Sequence, residues 1–306
     1  MREDNESVHI LLILFLAMFF WGSAYPVSKY MMCAVHPAFM AFLRHSLGFL
    51  PLIPFFIVEQ RKLSIPIRLG DIAVMSFIGV FGIAGFALLL FYGVAFSSAA
   101  TGSTLANTQP IFAVILSPII LKEKLNRYQI VGTISGLFGM VLVTTGGNFC
   151  CLEMGSGYTM GNLLLVGAAI SMTLYNITLK RYIHTYGGMI PTFFTMLSGS
   201  IVLLIVSVFI TDWNVQVRNI GNFTNALLIV YLGFFATALP FFLFNYALKF
   251  IPVIRAAGFK FLIPVTGVTL SILLISERPS LWTLLGILIV VFSVIILQRK
   301  SLTENK

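Results

Sequence analysis

Residues Thr101 to Gly139 read TGSTLANTQPIFAVILSPIILKEKLNRYQIVGTISGLFG, and Arg255 to Ser293 read RAAGFKFLIPVTGVTLSILLISERPSLWTLLGILIVVFS. Each stretch holds a proline in an apolar run, a glutamate thirteen residues later (123 − 110 and 277 − 264), and then a new apolar run. Pro110 matches Pro264, Glu123 matches Glu277 and Gly132 matches Gly286, all at one offset (264 − 110 = 154). The offset extends back to Pro37 with Pro191, Phe39 with Phe193, Gly79 with Gly233, and Tyr92 with Tyr246. Only the first helices need another register, 151, which aligns Lys29 with Lys180 and Ala17 with Ala168. The chain therefore reads as two copies of one unit, 8–147 and 160–298.

Composition sets the class. Of the 306 residues, 58% are hydrophobic and 9% charged, against about 25% charged in a soluble domain. Many apolar runs approach the ~20 residues that cross a bilayer core as a helix. They are continuous, without the alternation of barrel strands over ~10 residues. An all-α polytopic membrane protein is expected. The net charge of +9 does not point to nucleic acid, because the lysines and arginines lie almost wholly in short connections between apolar runs.

Ten spans are expected, near 8–28, 38–58, 71–95, 99–121, 128–147, 160–179, 190–210, 226–248, 254–275 and 281–298. The leader before the first is not cationic and no Ala-x-Ala site follows the run, so this span reads as an uncleaved helix rather than a signal peptide. Ten spans put both termini on one side. Thirteen of the nineteen Lys and Arg fall on that side, three (Lys29, Arg218 and Arg278) on the other, and three in or beside spans. The bias places both termini in the cytoplasm of a cell carrying the protein in its plasma membrane. Five spans per unit is an odd number, so the second copy would enter the membrane inverted, an architecture suited to alternating access.

Trp21-Gly22-Ser23 in the first span, Pro37 seven residues before Arg44, and the paired proline–glutamate–glycine spans resemble the drug/metabolite transporter superfamily. The ten-helix EamA type, with two EamA domains, is the most similar branch. The second copy departs from the first at Met172, where the first has Trp21, and at Ser198, where it has Arg44. The resemblance implies a transporter of small organic metabolites, often an exporter of amino acids or related compounds.

The residues themselves narrow the chemistry. None of the ten carboxylates falls in the middle of a span, which disfavours an organic-cation exporter, because a buried cationic substrate would lack a counter-charge. It also weakens an intramembrane aspartyl protease. Lys260, four residues before Pro264, is the ionisable group nearest a span centre, and an anionic substrate group is its natural partner; snorkelling to the cytoplasmic interface, or sitting there neutral, is the structural alternative. Thr101, Thr104 and Thr108 form a polar stripe at helical spacing, with Asn107 and Gln109 on adjoining faces. Pro110 frees the carbonyl of Ala106 and Pro264 that of Lys260, two equivalent positions (260 − 106 = 154).

Aromatic rings could line the same cavity: Trp21, Tyr25, Tyr92, Tyr175 and Tyr246, with Asn176 and Asn245 beside them. The substrate-binding candidates are thus Trp21, Tyr25, Thr104, Asn107, Thr108, Gln109, Tyr175, Asn176 and Lys260. Arg44 is expected to bond helix-end carbonyls, His45 to be a satisfied bundle histidine, and Glu123 and Glu277 to pair at the interface with the adjoining cations Lys122, Lys124 and Arg278. Gly132 and Gly136 suit close helix packing within the unit or in a dimer.

No Cys/His spacing suggests zinc and no Walker motif is present, so neither cofactor nor ATP is expected. The partners foreseen are a small-molecule substrate and the lipid bilayer, with the chain a monomer or homodimer. The expectation is a secondary-type transporter, with an amino acid or related zwitterion or anion as cargo and export as its direction. A nucleotide-type or sulfonium metabolite is the alternative cargo. A membrane-embedded lipid-modifying enzyme is the alternative from another class, and four scattered histidines supply no nucleophile and base for it.

Overall fold

The computed structural model describes residues 2–97, 99–151, 159–275 and 279–299. The first half of the chain forms α1 (Arg2–Met32), α2 (Pro37–Phe49), α3 (Leu52–Lys62), α4 (Leu69–Gly79), α5 (Phe86–Ala95), α6 (Ala99–Ala106), α7 (Gln109–Ile120) and α8 (Arg127–Thr145). The second forms α9 (Thr159–Tyr186), α10 (Met189–Ile210), α11 (Trp213–Asn219), α12 (Phe223–Gly233), α13 (Leu239–Leu248), α14 (Val253–Gly258), α15 (Leu262–Ile275) and α16 (Leu281–Leu297). No β-strand occurs among the described residues. Six helical runs among them are long and apolar enough to cross a membrane, and α2 with α3 makes a seventh if that bent pair is one span. Three shorter apolar helices, His9–Ala24, Thr104–Ile120 and Leu281–Leu297, accompany them. The chain is an all-helical polytopic membrane protein.

The interruptions have local causes. Between α2 and α3 the axis bends by 43° at Leu50 and Pro51, because Pro51 has no N–H to continue the ladder. The expected continuous second span is therefore a broken one. Near residue 107 α6 stops, and α7 restarts at Gln109 with Pro110 in its first turn, a position where the missing N–H costs nothing. In the second half α14 and α15 are joined by a 3₁₀ turn, Phe259–Phe261, just ahead of Pro264. The two breaks sit at the repeat offset (261 − 107 = 154).

A second pair of irregularities keeps the same spacing. One π-helical segment, Val80–Gly85, joins α4 to α5 and another, Phe234–Ala238, joins α12 to α13 (234 − 80 = 154). Such wide turns inside helices recur at functional sites. In the second of them Thr237 Oγ1 donates to Leu232 O, five residues back, at 2.8 Å.

Packing is matched in the two halves. α1 lies on α13 and α15, while α9 lies on α5 and α7; α2 packs on α12, and α10 packs on α4. Each half thus lends its first helix to the other, so the halves interleave. α8 and α16 form the most extensive helix pair, and glycines set their approach. A Cβ on Gly286 would stand 2.8 Å from Gly139 O, and one on Gly139 would stand 3.0 Å from Gly286 O. Gly132 and Gly136 also face the second unit, towards Leu297, Ser293 and Phe261, so they serve close packing between the two units rather than within one unit or across a dimer.

Gly286→Leu is expected to force α8 and α16 apart and to destabilise the protein by about 1–3 kcal/mol, the usual cost of overpacking. Thermal unfolding in detergent measures it; an unchanged midpoint would mean that the seam yields without loss.

Candidate functional site

Between the halves lies a cavity of about 690 Å³. Its buried end is formed where both broken helices point their interruptions inward. Ala106, Asn107 and Gln109 come from the α6–α7 break, and Lys260, Ile263 and Pro264 from the α14–α15 break. The wall rises from there to Met32 on α1 and to Val94 and Ser97 at the end of α5, where the side chains are half-exposed. Phe86, Leu90, Phe91, Met172 and Phe241 make much of the remaining surface. The chamber is therefore largely apolar; Asn107, Gln109 and Lys260 are the polar groups at its depth, and Ser28, Arg44, His45, Ser97 and Thr144 are spread along its wall.

Lys260 is 1% exposed. Its Nζ donates to Gln109 Oε1 at 2.5 Å and stands 4.6 Å from the Phe244 ring centre and 5.1 Å from that of Trp21. These ring faces attract a cation, more strongly where water is excluded. No carboxylate lines the cavity among the described residues, so the ammonium group meets an amide and two rings but no counter-charge. Trp21 reaches it because α1 and α15 pass closely at Gly22, where a Cβ would overlap Thr266 Oγ1 and crowd Ile263 O. Phe241 and Phe244 brace the indole, with ring centres 5.3 and 5.5 Å away.

Gln109 is held just as firmly. Pro110 cannot donate to Ala106 O, and Gln109 Nε2 donates to that carbonyl instead, at 3.1 Å. With its amide nitrogen so engaged, the side-chain oxygen faces Lys260. Thr173 Oγ1 donates to the backbone carbonyl of Gln109 at 3.3 Å and ties the break to α9.

Arg44 and His45 form part of the wall as well. Arg44 Nε donates to Thr237 Oγ1 at 2.7 Å and Nη2 to Ala236 O at 2.8 Å, which anchors α2 to the π segment. The expected carbonyl bond is present, at a π turn rather than a helix end. His45 Nδ1 donates to Ala41 O at 2.8 Å.

Of the nine candidate site residues, the structure brings Trp21, Asn107, Gln109 and Lys260 together on the cavity wall. Thr104 and Thr108 are buried but do not line it: Thr104 Oγ1 lies 2.8 Å from Thr144 Oγ1, and Thr108 Oγ1 donates to Leu105 O at 2.7 Å. Tyr175 and Asn176 stand outside the wall too. Tyr175 lies one ring behind it, edge-on to Phe241 at 6.2 Å, with its hydroxyl 3.2 Å from Thr195 Oγ1 and accepting from Asn245 Nδ2 at 3.1 Å. The side chain of Tyr25 lies outside the described residues. Tyr92 and Tyr246 do not line the cavity. Sequence reasoning missed Phe241 and Phe244, because nothing along the chain separates them from the other phenylalanines among the 29.

Glu123 differs from expectation. It bonds neither Lys122 nor Lys124 but Lys180 of α9, whose Nζ donates to Oε1 at 2.7 Å; the Val253 N–H at the start of α14 donates to the same oxygen at 3.2 Å. A left-handed turn at Lys122, with φ of 55°, precedes it. Glu277 and Arg278 fall outside the described residues. α9 runs antiparallel to α4 and α5, with Gly161 against Phe96 and Tyr186 bonded to Asp71. The Glu123–Lys180 pair therefore sits at the end of the bundle opposite Ser97.

Comparison with known proteins gives a single direction. The model of the EamA-like transporter family matches residues 9–145 and again 159–299. An uncharacterized transporter of Bacillus subtilis (strain 168), YdfC, is 30% identical over 99% of this chain and 95% of its own length. A probable terminal-alkyne amino-acid exporter of Streptantibioticus cattleyicolor is 22% identical over 78% of this chain and 77% of its own. A solved crystal structure superposes with a TM-score of 0.80 at 17% identity, covering 95% of this chain and 96% of that one, and so shares the fold.

The residues packed behind the wall are expected to differ in what their substitution costs. Tyr175→Phe leaves the Asn245–Thr192 bond of 2.7 Å in place and should cost about 1 kcal/mol, the usual worth of one hydrogen bond. Asn245→Leu, which takes the Nδ2 donor away from both Tyr175 and Thr192 and leaves them Thr195 and Gly188 O as partners, should cost more. Thermal unfolding of the two variants in detergent checks the order.

Proposed function

The chain belongs to the EamA-like transporter family, and on that premise we propose that it carries a small anionic or zwitterionic metabolite across the plasma membrane, an amino acid first among the candidates. One observation carries the choice of cargo: Lys260, buried at the depth of the cavity, has an amide and two aromatic rings around it and no carboxylate on the cavity wall. A buried charge without an opposite charge is costly in a membrane, and a substrate carboxylate, phosphate or sulfate would supply what the protein omits. Asn107 adds a polar group, while the apolar wall suits the rest of a small organic molecule. The amino-acid exporter among the relatives supports both amino acids as cargo and export as the direction.

The proposed architecture is ten crossings in two inverted repeats. Six long helices, one bent pair and three shorter apolar helices make that number, and the matched packing, matched π segments and matched breaks support the repeat. With both termini cytoplasmic, the cavity opens outward past Met32 and Ser97, and the cytoplasmic end is closed by Glu123, Lys180 and the start of α14. Rocking of the halves about Lys260 would exchange these two states. Breaking the Glu123–Lys180 pair is then part of opening inward.

Counterflow into proteoliposomes tests the cargo, with radiolabelled pools of amino acids, nucleotides and organic cations offered in turn. Exchange of the amino-acid or another anionic pool is expected, and Lys260→Ala should reduce it by about tenfold or more if an ion pair in the membrane is lost. Exchange of the cation pool alone would overturn the reading. For the closing pair, Glu123→Lys and Lys180→Glu should each impair exchange, and the double swap should recover part of it. Recovery is partial because Val253 N–H loses its acceptor. Two impaired single variants with no recovery in the swap would count against the pair as a closing contact.

A further inference from the structure

Gln109 has a role that its place on the wall does not by itself disclose. Its amide nitrogen is committed to Ala106 O at 3.1 Å, a carbonyl orphaned by the proline one residue on, and its oxygen to Lys260 Nζ at 2.5 Å. Thr173 holds its backbone carbonyl at 3.3 Å, and the residue is buried. Both ends of the side chain are thus bonded within the protein. The amide shields Lys260 with a dipole and does not cancel its charge. A carboxylate in the same place would neutralise the ammonium group and end the need for a negative charge on the cargo.

We infer that Gln109 sets the charge selectivity of the cavity by being neutral: it positions the Lys260 ammonium group while leaving its charge for the substrate to balance. This rests on the transport reading above. The residue is a positioning and selectivity group, and its bonds to the protein persist when cargo binds. The Gln109–Lys260 pair then carries +1, beside the Arg44 guanidinium that the wall holds on Thr237 and Ala236. Gln109→Glu brings the pair to zero, and Gln109→Glu with Lys260→Gln brings it to −1, with Arg44 unchanged in every variant.

The same counterflow assay separates these states, with the amino-acid pool as the zwitterionic probe and choline and tetraphenylphosphonium as cationic ones. Gln109→Glu is expected to lower amino-acid exchange by about tenfold or more, the scale of discrimination that one unpaired or mispaired charge imposes. The double variant is expected to exchange the cationic probes, and the wild type to exclude them.

Gln109→Met, of similar length, loses both side-chain bonds without adding charge, and so controls for the lost bond to Ala106. It should keep the preference for amino acids over cations, although at a reduced rate. Folding of each variant is checked by elution as a single species in detergent. Amino-acid exchange that survives Gln109→Glu at the wild-type rate overturns the role of Gln109 and leaves the transport reading standing. Exchange of the cationic probes by folded Gln109→Met also overturns it, since selectivity would then be lost at a residue that is still neutral. Exchange of the cationic probes alone by the wild type overturns the anionic or zwitterionic cargo proposed above, whatever Gln109 does.

Discussion

Inside hydrocarbon every backbone N–H and C=O must find a partner within the protein, and Pro110 and Pro264 each take one donor away from a helix that crosses the bundle. The fold answers twice, at equivalent places. In the first half the chain stops its helix near residue 107, restarts it at Gln109, and lets the Gln109 amide take the carbonyl that Pro110 cannot serve. In the second it tightens Phe259–Phe261 into a 3₁₀ turn ahead of Pro264. Irregular backbone of this kind is tolerated at membrane depth only where it is buried in protein or borders a cavity. The two breaks meet at the base of the same cavity, where Asn107, Gln109 and Lys260 lie.

The placement of charge follows from that meeting. Lys260 sits in the 3₁₀ turn between α14 and α15, so its side chain leaves the helix where the regular α ladder is interrupted. There it meets Gln109, Trp21 and Phe244. A lysine at this depth on an unbroken, lipid-facing helix would have to snorkel toward an interface. Here it is 1% exposed and anchored by its own bonds. The arginine of the cavity is treated differently: Arg44 spends two of its donors on the π segment of α12 and α13. Two cations share one wall, yet the bonds around them separate a group that holds the scaffold from one left short of a counter-ion.

Much of this was legible along the chain, because duplication is written as an offset and prolines declare their own consequence. The offset of 154 located the two breaks and the pairing of Ala106 with Lys260. It also runs through both π segments, which no propensity announced. The bend at Pro51 could have been read from the same rule that exposed Pro110. What stayed hidden depends on which faces meet. Thr104 and Thr108 carry the right spacing for a polar stripe, yet neither lines the cavity: the Thr104 hydroxyl lies behind the wall residue Thr144, and that of Thr108 donates to Leu105 O. Tyr175 lies one ring too far back, behind Phe241. Glu123 has lysines on both sides in sequence and bonds a third, 57 residues away. Periodicity gives the face of a helix; only packing gives its neighbour.

The interleaving of the halves explains how two repeats can make one site that is not symmetric. Because α1 packs into the second half and α9 into the first, the cavity receives Trp21 from one and Met172 from the other at comparable heights. The indole offers a π face to Lys260; the thioether offers a soft apolar surface that adapts to what lies against it. Likewise Gln109 and Lys260 face each other from breaks that are equivalent in the repeat, one neutral and one cationic. Equivalent backbone thus presents unlike side chains across one cavity. A duplicated fold supplies the helix interruption twice over, while the divergence of a few wall positions gives the cavity a cation on one side and an apolar flank on the other that neither copy holds alone.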